Sequence, residues 1–151
     1  MRTLRLRLKQ LFQLTLSEQI ILLAALIVLP LTAASLRVFG FKRCQRVLSR
    51  ISSRPKRKSP TLLQRAGVTA RTVAIAANHG PYRAKCLVRS MTTQFLLSCQ
   101  GIDSVLRIGI SKPRGLFEAH AWVICEGKII NDHPDIESHY RPFTATTRTA
   151  D

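Results

Sequence analysis

The chain has 151 residues, 46% of them hydrophobic, with seven Gly and seven Pro. That is enough for one compact domain with a real core, and it excludes both a low-complexity chain and a second domain of similar size. The net charge of +16 is uneven: residues 1–60 carry 13 basic residues against the single acid Glu18, and residues 61–151 carry 11 basic and 7 acidic residues.

The first part of the chain therefore attracts something anionic, such as nucleic acid, a lipid surface or an acidic partner, unless it is simply a solubilising face. Residues 2–12 alternate basic and apolar side chains, with Leu4, Leu8 and Leu11 at helical spacing. Thr15-Leu16-Ser17-Glu18 matches a capping box. An apolar run then extends from Ile20 to Leu36 and is expected to break at Pro30. It is short for a membrane span, and the alternative is a buried or interfacial helix. Phe41, Cys44, Val47, Leu48 and Ile51 mark one face of a second helix. Residues 52–60, with two prolines, three serines and four basic residues, read as a linker between this N-terminal helical segment and the rest.

From Thr61 to Asn78 the pattern is helical, with Leu62, Leu63, Ala66, Val73 and Ala77 inward. His79-Gly80-Pro81 ends it. A further helix is expected from just after Pro81 to about Cys99, with Val88, Met91, Phe95 and Cys99 as its apolar stripe. Strands follow at 104–110, 117–124 and 128–132. Residues 144–151 read as a polar tail.

Four cysteines, Cys44, Cys86, Cys99 and Cys125, form no CxxC pair, and no secretory cleavage site is recognised. Reduced thiols in the cytoplasm are expected rather than a disulfide scaffold. The thiolate is the reactive form, and a helix N-terminus favours it. Cys86 is the cysteine expected near such an end, with Arg83 and Lys85 adding positive charge. His120, inside a strand beside Trp122, is rigidly aimed and suits a base; His79, His133 and His139 fall in loop-like contexts. Asp132 completes a Cys-His-Asp order. The His and Cys spacings match no common zinc pattern, so neither a metal nor another cofactor is expected.

The hairpin between β-strand candidates 117–124 and 128–132 offers a geometric test. A two-residue loop, Glu126-Gly127, puts His120 and Asp132 on opposite faces. A three-residue loop, Cys125-Glu126-Gly127, puts His120 directly opposite Asp132, with the carboxylate in reach of the imidazole. The three-residue loop is the one expected.

These residues also carry a likeness. Ala84-Lys85-Cys86-Leu87-Val88-Arg89-Ser90, Gly101-Ile102, Leu106-Arg107-Ile108-Gly109, Ala119-His120-Ala121-Trp122-Val123, Gly127 and Asn131-Asp132-His133-Pro134-Asp135 together resemble the lasso-peptide maturation B family of leader peptidases. The resemblance covers about residues 60–143 and is looser in the N-terminal helices. It implies an α+β fold with a transglutaminase-like (papain-like) core, in which the nucleophile's helix packs on a small antiparallel sheet. It implies Cys86, His120 and Asp132 as the catalytic residues of a domain at 61–143. It implies removal of the leader from a ribosomally made precursor, with a separate leader-recognition protein and a lasso cyclase as partners. Residues 1–60 show no small sheet of the fused recognition domain, so the split form is expected. Nucleic acid is not an expected partner; for residues 20–36 a peripheral membrane contact, a span and a buried helix all stay open. The competing readings are a transglutaminase-like acyltransferase, which passes the same thioester to an amine, and a non-catalytic basic or membrane-associated adaptor.

Overall fold

A computed structural model describes residues 15–52, 61–80, 82–112 and 116–142 of the chain. The expectations for residues 2–12, for most of the linker at 52–60 and for the tail lie outside the described residues.

Helix α1 (Leu16–Phe39) opens on the capping box. The Thr15 N–H donates to the Glu18 carboxylate at 2.8 Å, and the Glu18 N–H donates to the Thr15 hydroxyl at 3.4 Å. Contrary to expectation, the helix runs through Pro30 without a break. Pro30 lies on the exposed side, and the opposite face holds Ala25 and Leu29 at 0% and 1% exposure. Packing of that face outweighs the hydrogen bond that proline cannot make. After Gly40, helix α2 (Phe41–Ser52) turns back along α1 and buries Leu48.

Helix α3 (Leu62–His79) buries Leu62 and Val73 together with Ala66, Ala70, Ala76 and Ala77, whose small side chains let its neighbours approach closely. Helix α4 (Cys86–Cys99) begins later than expected, because Lys85 is extended at the N-cap. Cys86 is therefore the first helical residue. Val88 and Met91 are buried as expected, but Cys99 is exposed at the far end.

Ala25 and Leu29 of α1 join Val73, Ala76 and Ala77 of α3 and Val88 and Leu96 of α4 in one apolar cluster. A second cluster joins Leu62, Ala66, Leu97 and Ile102 to Val123 and Cys125 of the sheet. The sheet is antiparallel, in the order β3-β2-β1-β4, built from β1 (Val105–Ser111), β2 (Glu118–Cys125), β3 (Lys128–Ile129) and β4 (Arg141–Pro142). The short helix α5 (Ile136–His139) precedes β4. The arrangement is α+β, with helices covering the β2 face that carries Val123 and Cys125.

The hairpin differs from its expectation. Cys125 pairs with Lys128 and Ile124 with Ile129, so the loop is Glu126-Gly127. Both loop residues have positive φ, 49° and 77°, the backbone of a tight turn whose twist matches the strands. The third strand also stops short of Asp132. Its last ladder bond is Ile130 N–H to the Val123 carbonyl, at 3.1 Å.

Candidate active site

Cys86, His120 and Asp132 come from the start of α4, the middle of β2 and the segment after β3. The helix supplies the first. Arg89 N–H donates to the Lys85 carbonyl at 3.0 Å, and the Lys85 side chain makes no capping bond. The N–H groups of Cys86, Leu87 and Val88 precede the first intrahelical donor, which is the usual state of a first helical turn. Cys86 is half-buried there.

The His120 Nε2–H donates to Asp132 Oδ2 at 2.7 Å. A carboxylate only accepts, so this bond fixes the tautomer and leaves the lone pair on Nδ1. The Asp132 Oδ2 also accepts from Arg89 at 3.4 Å, and its Oδ1 accepts from the His133 N–H at 2.9 Å. The His120 ring is held on two sides. Trp122 stacks on it with centroids 6.4 Å apart at 21°, and Tyr140 lies 5.2 Å away, tilted by 31°. Trp122 is fully buried, so it packs the core while it supports the imidazole. A glycine makes room for both rings. A Cβ on Gly109, the Cα partner of His120, would sit 2.6 Å from Trp122 Cη2 and 2.7 Å from Tyr140 Cβ.

The two-residue turn was expected to separate His120 from Asp132, and it does not. The reason is Asn131. Where a continued strand would offer a backbone carbonyl to the Val123 N–H, the Asn131 side-chain Oδ1 accepts it instead, at 2.7 Å. The ladder ends there, and the chain is free to carry Asp132 across to His120. The Asn131 Nδ2 donates to Ser90 Oγ at 2.8 Å, and Ser90 Oγ–H donates to the Ala121 carbonyl at 2.8 Å. Ser90 is 0% exposed. This clasp ties the residue next to Asp132, the residue next to His120 and the residue one turn after Cys86 to one another.

Tyr140 borders the site through its ring contact with His120. Its hydroxyl donates to Glu118 at 3.4 Å. Desolvation raises its pKa, helped by Glu118 and then by the charges of Cys86 and Asp132. An open depression of about 410 Å³ lies beside it, bordered by Glu118, His133, Ile136 and His139. Burial pushes the Cys125 thiol up, with Glu126 and Asp103 adding to it, which leaves Cys125 an inert thiol under the sheet.

Sequence reasoning singled out Cys86, His120 and Asp132 but assigned no role to Arg89, Ser90, Asn131 or Tyr140. Arg89 and Ser90 follow Cys86 by three and four residues, the spacing that shares its helix face, so part of the signal was present. Among the described residues, no group of three His, Cys, Asp or Glu side chains is arranged to hold a metal ion. A family model described as the transglutaminase-like superfamily matches residues 26–145. No curated protein and no solved structure matches the chain.

Proposed function

Since the chain belongs to the transglutaminase-like superfamily, whose members are typically cysteine peptidases or acyltransferases, we propose that it is a cysteine peptidase with Cys86 as nucleophile, His120 as base and Asp132 as the carboxylate that orients it. The observation that carries this reading is the 2.7 Å bond from His120 Nε2 to Asp132, which aims a basic Nδ1 away from the carboxylate, beside a helix that opens on a cysteine.

In this mechanism Nδ1 takes the Cys86 proton as the sulfur attacks the scissile carbonyl. The carbonyl π electrons move to oxygen, and the oxyanion is met by N–H groups of the first turn of α4. The imidazolium, held by Asp132, gives its proton to the departing amine as the C–N bond breaks, leaving a thioester on Cys86. Water, deprotonated by His120, attacks the thioester. The carboxylic acid leaves and the thiol is restored. Arg89 places a positive charge beside Asp132 and limits the carboxylate's freedom to swing away from His120.

The substrate we assign is the precursor of a lasso peptide, cut between leader and core in the cytoplasm. The resemblance of the Cys86, His120 and Asp132 segments to that family supports this. A separate recognition protein presents the leader, and a separate cyclase takes the released core. The four cysteines, all unpaired, fit a reducing compartment.

The test is incubation of the protein with precursor and recognition protein, followed by mass spectrometry. Hydrolysis adds one water across a cleaved bond, whereas acyl transfer loses ammonia or joins two chains. Cys86→Ala and His120→Ala should abolish cleavage, and Asp132→Asn should be the least damaging of the three. Processing at the wild-type rate by Cys86→Ala overturns the reading; products of transfer without hydrolysis move it to the acyltransferases.

A further inference from the structure

Helix α1 has two apolar sides, and the fold uses one. Ala25 and Leu29 point into the core. On the opposite side Leu16, Ile20, Leu23, Ile27, Leu31 and Val38 are each 59–79% exposed. Their spacing of three, four and seven residues puts them in one straight ridge. The helix has 24 residues, so the ridge runs for about 36 Å. No charged residue interrupts it from Gln19 to Leu36. A soluble surface helix turns polar residues outward; an uncovered apolar ridge of this length marks an interaction face.

Among the described residues, the charges on the helix that follows α1 are all positive. Helix α2 carries Lys42, Arg43, Arg46 and Arg50 and no acid. Between α1 and α2 lies an open groove of about 620 Å³. Leu31, Leu48, Met91 and Phe95 line it, and Arg43, Arg46 and Arg50 border it. The chain's own first residues do not complement this rim, since Arg2, Arg5, Arg7 and Lys9 share its sign. Apolar area flanked by arginines is the pattern of a surface that inserts among acyl chains while its cations pair with headgroup phosphates.

We propose that the α1–α2 face docks on an anionic lipid surface, with α1 lying in the plane of the membrane and Arg43, Arg46 and Arg50 at the level of the phosphates. The helix is long and apolar enough to cross a bilayer by length and composition. It lies on the membrane instead, because Ala25 and Leu29 are already buried against α3 and α4, and a span would strip them from Val73, Ala76 and Ala77. This docking is independent of the peptidase reading, since none of its residues belongs to the candidate active site.

Flotation of the full chain with vesicles tests it. Vesicles of phosphatidylcholine mixed with phosphatidylglycerol should carry the protein up the gradient. Phosphatidylcholine alone should carry far less, and raised salt should weaken the binding. The triple change Ile20→Gln, Leu23→Gln, Ile27→Gln should lower partitioning at least about a hundredfold. Replacing Arg43, Arg46 and Arg50 by Gln should cost about fivefold per arginine on the anionic vesicles. All these side chains are exposed, and an unchanged circular dichroism spectrum checks that the variants fold. Failure to float with either vesicle overturns the proposal. So does equal binding to both compositions, or binding that survives the Gln changes on α1. So does a stable oligomer in solution that the same α1 changes dissolve, because a second copy would then be what covers the ridge.

Discussion

Replacing Asn131 by alanine should damage both stability and catalysis, by separable amounts. The side chain accepts from the Val123 N–H at 2.7 Å and donates to Ser90 Oγ at 2.8 Å. Val123 is 0% exposed, so its N–H would lose its partner in the core. An unsatisfied buried donor costs about 1–3 kcal/mol. Ser90 keeps its own bond to the Ala121 carbonyl and suffers less. The sum is about 2–3 kcal/mol, a fall of roughly 5–10 °C in Tm for a chain of this size. Ser90→Ala removes the partner of both the Asn131 amide and the Ala121 carbonyl and should cost a similar amount. Because they share one clasp, the double variant should lose less than the sum, with a coupling of about 0.5–3 kcal/mol. Precursor cleavage, measured well below the lower Tm, should fall about a hundredfold in Asn131→Ala, since a displacement of about 1 Å in Asp132 is enough for that. If Asn131→Ala melts with the wild type and cleaves at the wild-type rate, the clasp does not position the carboxylate.

Gly109→Ala should cost about 1–3 kcal/mol by overpacking Trp122 and Tyr140, and should lower cleavage more than KM, because the rings it pushes are those that hold His120; an unaltered melting curve refutes the close fit. Iodoacetamide followed by peptide mapping should modify Cys86 fastest and Cys125 slowest, since one opens a helix and the other is 1% exposed under the sheet; equal rates at the two sites contradict this. The bonds from the Thr15 N–H and hydroxyl, and then the Arg71 charge, hold the Glu18 carboxyl below its ordinary range. The stabilisation this provides is full above the unfolded-state value and is lost as pH falls through the depressed folded one. Glu18→Gln should therefore flatten the acid limb of a stability titration, and an unchanged limb would refute the linkage.

Much of the helical part was legible because its signals are local. Thr15 and Glu18 announce the start of α1, Gly80 and Gly101 follow the ends of α3 and α4, and the spacing of Leu62, Ala66, Val73 and Ala77 draws the buried face of α3. Pro30 misled because propensity is local and the packing of Ala25 and Leu29 is not. The hairpin misled for a related reason. In an unbroken ladder as far as Asp132, one residue of shift moves every side chain to the other face. The chain instead leaves the ladder at Asn131, where a side chain stands in for the backbone, and the strand's alternation no longer governs where Asp132 points. Spacing along the chain carries no sign of that substitution. Residue types and order pointed to Cys86, His120 and Asp132; the polar contacts around them depend on three-dimensional neighbours such as Ser90 and Asn131, far apart in sequence.

The shared cluster between α1, α3 and α4 sets a lower limit on how short this protein can be made. A shortened version beginning at Thr61 would keep Cys86, His120 and Asp132 and yet open Val73, Ala76, Ala77 and Val88 to water. The first helix is thus a wall of the same building that houses the candidate site, and trimming at the proline-rich stretch would remove the wall along with the doorstep.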